Sequence, residues 1–166
     1  MKKLISSVIF ILCLSLAHAQ SANADSVKKE HSSLMTKANS FFSSYKSGID
    51  ARIKKTERSA GSIPNDIAGA KSLINIYRQD SVYYQHIIQK GDSLSKMLQA
   101  HDNVLKASKL TDDFLSASEK NMEQVKQVIN YANDTQKQAV KRLKNIYKEL
   151  KRMEDEKAKT DKKNNK

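Results

Sequence analysis

The sequence predicts an all-α protein: an elongated antiparallel three-helix bundle or coiled coil that ends in a disordered basic tail. Three observations predict it. Apolar side chains recur at steps of three, four and seven through most of the chain, the spacing that lines one face of a helix. Breakers are scarce, with one Pro and four Gly in 166 residues. The last third of the chain carries a sustained seven-residue repeat, the pattern of coiled-coil packing. Composition alone points the other way. Leu, Ile, Val and Phe supply only about 19% of the residues beyond Ala19, a level at which a highly charged chain tends to disorder. Arrangement, rather than amount, therefore has to produce the core.

Residues 1–19, MKKLISSVIFILCLSLAHA, read as a cleaved signal peptide: Lys2 and Lys3, an apolar run over 4–16, then Ala17-His18-Ala19 with small residues at both recognised positions. The run is too short for a bilayer-spanning helix, which takes about 20 residues, so no transmembrane segment is expected after cleavage. Cys13 is the only cysteine; Leu12 before it argues against a lipoprotein site. A chain beginning at Gln20 then has no disulfide and no thiolate metal site. An exported protein without cysteines fits a bacterial periplasmic or extracellular setting. Losing Lys2 and Lys3 lowers the formal charge from +12 to +10.

The first helix is expected over about 24–59, with Asp25 or Ser26 as N-cap. Val27, Leu34, Ala38, Phe41, Tyr45, Ile49 and Ile53 form its apolar face. Gly61-Ser62-Ile63-Pro64-Asn65 ends it, because proline lacks an amide donor and turns the preceding residue from helical angles. The second helix is expected over about 65–107 from Asn65 or Asp66. Ile67, Ala70, Ile74, Tyr77, Tyr84, Ile88, Leu94, Leu98 and Leu105 form one row; Leu73, Ile76, Tyr83, Ile87, Met97 and Val104 widen it. Gly91 allows a break, but the row resumes in phase at Leu94, so a continuous helix is preferred, with Gly91 as a point of close approach.

A turn near 107–111 leads to the third helix, expected over about 112–156, with Thr111 as cap and Leu110 stapled onto Leu115. Leu115, Met122, Ile129, Gln136, Leu143 and Leu150 make one heptad column; Ser118, Val125, Ala132, Ala139, Ile146 and Met153 make the other. Residues 24–153 thus form one domain of rods about 55 to 68 Å long at about 1.5 Å per residue. Residues 154–166 carry nothing larger and apolar than alanine and are expected to be disordered. A thin bundle should leave Phe42, Tyr83 and Val128 only partly covered, which points to self-association or a protein partner.

No pattern points to catalysis, a cofactor or a metal. His31, His86 and His101 lack the three- or four-residue spacing of ligands on one helix. Glu119 and Glu123, at i and i+4, form the one close carboxylate pair on a face and read as solvated. The informative charge pattern is a stripe of Lys137, Lys141, Lys144, Lys148 and Lys151, with Arg142 and Arg152 added to it. Like charges at this spacing repel by a few tenths of a kcal/mol per pair, so the stripe does not serve helix stability. It is either a soluble outer face or a surface for an acidic partner: anionic lipid, lipopolysaccharide or an acidic protein. Nucleic acid fits poorly, since no aromatic interleaves the lysines.

The expected role is a non-catalytic interaction or scaffold protein of the bacterial cell envelope. Small size, basic charge and helical content give the chain a resemblance in broad character to the Skp-like periplasmic chaperones, although no counterpart of their N-terminal strand region is present. That resemblance implies a holdase as one alternative. A component of a secretion or conjugation apparatus is another.

Overall fold

The computed structural model of the protein describes residues 2–59, 64, 66–108 and 112–164, with side chains described for 24–57, 64, 66–108 and 113–163. It consists of three helices, α1 (Lys2–Ser59), α2 (Ile67–Ala107) and α3 (Asp112–Asn164), with no strand among the described residues.

The helices run up, down and up. His31 of α1 meets His101 of α2, Phe41 approaches Gly91, and Thr56 bonds to Asp80, so residue numbers rise along α1 as they fall along α2. The same antiparallel register joins Gly91 to Ile129 and Asp102 to Ser118 across α2 and α3. Carried on from His31 and His101, it sets Ala107, the last residue of α2, level with Asp25. At the opposite end it sets Ile67 level with Met153.

Two helix ends differ from the sequence reading. Asp25 and Ser26 lie inside α1, so neither caps it; only one glycine and no proline occur before residue 60, and nothing there stops the coil. The tail from Glu154 is also helical, through Asn164. It contains neither glycine nor proline, and the Arg152 to Glu156 ion pair, 2.8 Å at i,i+4, joins it to the preceding turn. Side chains 154–163 are nevertheless exposed, as expected of a segment with nothing to bury. Elsewhere the limits agree. Asp66 caps α2, its carboxylate accepting the Gly69 amide at 2.6 Å, worth about 1 kcal/mol. Ser108 closes α2. Asn65, Leu110, Thr111 and the Gly61-Ser62-Ile63 stretch lie outside the described residues.

One core joins all three helices: Leu34, Ala38, Phe41 and Ile49 of α1, Tyr84, Ile87, Leu94 and Leu98 of α2, and Val125, Val128, Ile129 and Ala132 of α3. Val128, expected to be partly covered, is 2% exposed because it faces this core; Phe42 and Tyr83 are half-buried as expected. Of the two heptad columns, the one built on Val125, Ala132, Ala139 and Ile146 is buried from Ser118 to Ile146 and half-buried at Met153, whereas Met122, Gln136 and Leu143 of the other stay half-buried. On α2 the second row widens the core at Leu73 and Ile87, but Met97 and Val104 face outward.

Helix α2 is continuous at Gly91, and the glycine is buried. A Cβ there would stand 2.5 Å from Ile129 Cγ1 and 3.0 Å from Phe41 Cζ. Gly91 is thus a point at which side chains of α1 and α3 both close on the α2 backbone. A second cluster, Ala70, Leu73, Ile74 and Tyr77 against Ala139, Ile146 and Leu150, belongs to α2 and α3 alone.

Candidate functional site

The lysine stripe lies on the face of α3 opposite its core seam. Lys137, Lys141, Arg142, Lys144, Lys148, Lys151 and Arg152 are all exposed, but they are not equivalent. Lys137 pairs with Asp134 at 3.3 Å. Arg152 lies between Glu149 at 3.0 Å and Glu156 at 2.8 Å, and these two hydrogen bonds raise its pKa. Arg142 turns off the stripe: its guanidinium reaches the Tyr77 hydroxyl at 3.4 Å, the contact that raises its pKa, and it lines a cavity of about 50 Å³ with Thr56, Asp80 and Tyr84. Lys141, Lys144, Lys148 and Lys151 have no carboxylate within ion-pair distance among the described residues. They form a ridge, and the half-exposed Tyr147 flanks it beneath the Arg78 guanidinium.

Two buried polar layers connect the helices, and sequence reading missed both. In the first, Asp80 is buried between α1 and α2. Arg52 donates to its Oδ1 at 2.7 Å and the Thr56 hydroxyl to its Oδ2 at 2.5 Å. The Arg52 guanidinium also lies over the Tyr83 ring, 4.1 Å from its centroid. Burial, with the Asp80 charge adding to it, pushes the Tyr84 phenol up to about 12. From α3, the Tyr131 hydroxyl donates to Asp50 at 2.7 Å.

The second layer lies at the end of the bundle where α2 stops. His31 and His101, 6% and 3% exposed, place their ring centroids 5.4 Å apart, and Phe114 of α3 stands edge-on to His31 at 4.9 Å. Ser118 donates to the Asp102 carboxylate. Nδ1 of His31 and both ring nitrogens of His101 are buried without a hydrogen-bond partner. Burial, and after it the neighbouring His101, lowers the His31 pKa, against a smaller upward pull from Asp102.

Glu119 and Glu123 are exposed, and among the described residues no group of three or more His, Cys, Asp or Glu is placed to hold a metal ion. No helix among them is long and apolar enough to cross a membrane. Fold and side chains together define a three-helix bundle with a basic outer ridge and two buried polar layers. No protein-family model, curated protein or solved structure matches the chain.

Proposed function

We propose that the chain is an exported, non-catalytic interaction protein of the bacterial cell envelope, and that its lysine ridge is the surface offered to an acidic partner. The ridge carries the reading. Lys141, Lys144, Lys148 and Lys151 repeat along one exposed face with no carboxylate within ion-pair distance among the described residues, whereas Lys137 and Arg152 at the two ends of the stripe pair with Asp134 and Glu149. Mutual repulsion makes such a ridge a cost to the isolated helix, whereas near an anionic surface each lysine contributes about 1 kcal/mol. Export rests on residues 1–19, whose charge, apolar run and small-residue end have the form of a leader.

Two experiments test the two halves. Cell fractionation with N-terminal sequencing should recover a chain that begins at Gln20 outside the cytoplasm; an intact chain in the cytoplasm contradicts export. Vesicles containing phosphatidylglycerol should bind the protein at low salt and release it as salt rises through 0.1 M, where the screening length falls to about 10 Å. Replacing the four unpaired lysines with glutamine should abolish that binding. Binding indifferent to salt, or unchanged by the substitutions, contradicts the role of the ridge.

A further inference from the structure

We propose that the contact between His31 and His101 is an acid-sensitive latch, which holds the start of the bundled part of α1 against α2 and α3 at neutral pH and lets it go as the medium acidifies.

The contact joins α1 to α2 at a level where, among the described residues, no other polar contact links these two helices. His31 comes from α1 and His101 from α2, and Phe114 of α3 stands edge-on to the His31 ring. Both imidazoles are buried, and three of their ring nitrogens have no partner to share a proton with. Such a site accepts neutral rings, because a charge buried without a partner is costly. The ionisable groups acting on His31 are His101 and Asp102, both from α2. From α3 come the Phe114 ring and the Ser118 hydroxyl, which is already bonded to Asp102, and among the described residues no charged α3 side chain acts on His31. Asp102 can balance one added proton. Among the described residues no carboxylate besides Asp102 acts on His31, and two charged rings with centroids 5.4 Å apart would repel.

The sign follows from linkage. The closed state holds His31 below its ordinary value of 6.5, so the open state binds more protons once pH drops below about 6.5. The closed form is therefore fully favoured above that pH and loses ground below it, by up to about tenfold in the opening equilibrium per pH unit, the limit for one histidine that takes up its proton only on opening. Release frees the packing of Val27, Leu34 and Ala38, which are buried in this part of α1. The Asp80 layer and the Gly91 contact lie further along the rod, so the change is confined to one end.

The test is histidine and amide NMR on the full chain between pH 8 and pH 5. Amides of residues 27–38, corrected for intrinsic exchange, should open progressively below pH 6.5 in step with His31 protonation, while those of residues 49–56 stay closed. His101→Leu should weaken this dependence without abolishing it, because the burial of His31 remains, and replacing the exposed His86 with glutamine should leave it intact. Opening that ignores pH, that spreads equally over both segments, or that persists unchanged in His101→Leu overturns the latch. Should His101→Leu fail to fold, the wild-type titration decides alone, since His31 taking up its proton with no rise in opening contradicts the proposal.

Discussion

The Asp80 layer and the His31–His101 layer face the same task with opposite outcomes. Each buries polar groups between α1 and α2, but in the first both carboxylate oxygens are matched by donors, whereas in the second three ring nitrogens have none. A complete polar layer favours one register, because sliding α1 along α2 would strand Asp80 without its donors. An incomplete one holds only while its rings stay uncharged. The comparison teaches that burial by itself says little about how firmly a level of the rod is held. What decides is whether each buried polar atom has a partner.

Breaking the complete layer should have the largest effect. Asp80→Ala leaves Arg52 without its buried partner and should cost about 3 kcal/mol, the low end for a broken buried pair, because the Arg52 side chain is 37% exposed. Urea unfolding of this variant should give a midpoint well below that of His31→Gln at pH 7.5; equal midpoints would erase the distinction between the layers. A smaller loss is expected at the dry level between them. Gly91→Ala sets a methyl group 2.5 Å from Ile129 Cγ1, an overpacking worth about 1–3 kcal/mol, and thermal melting should show it. An unaltered melt would mean that the helices separate there at little cost.

Smallest of all should be the effect of the ridge on folding. Glutamine at Lys141, Lys144 and Lys148 removes repulsions of a few tenths of a kcal/mol per pair, so the melting temperature should hold or rise slightly at low salt. A clear drop would show that these lysines support the bundle rather than face away from it.

Much of this arrangement was legible in the sequence, and the limits are physical. Periodicity fixes which residues share a face, so the core rows, the second heptad column, the continuity of α2 through Gly91 and the outward stripe could all be read. It says less about how faces meet. His31 falls between Val27 and Leu34, Asp80 between Tyr77 and Tyr84, and Asp102 between Leu98 and Leu105, each at core spacing in an apolar row. A polar residue in such a place signals an internal partner, but the partner lies on another helix, and only the register names it. Spacing within one helix could not show that His31 and His101 would meet. Nor could it separate Arg142, which turns inward to Tyr77, from lysines of the same stripe. The helical tail was missed for a different reason. Absence of apolar side chains removes packing, but it does not stop a run without breakers from continuing a helix already formed.

The account depends on α1 being held unevenly along its length. Hydrogen exchange along α1 in the full chain at pH 7.5 measures that directly. Protection should be greatest around Ile49 to Thr56, beside Asp80, and should decline towards Val27, beyond the histidine pair. Uniform protection along the segment, or protection that peaks at the histidine end, would contradict it.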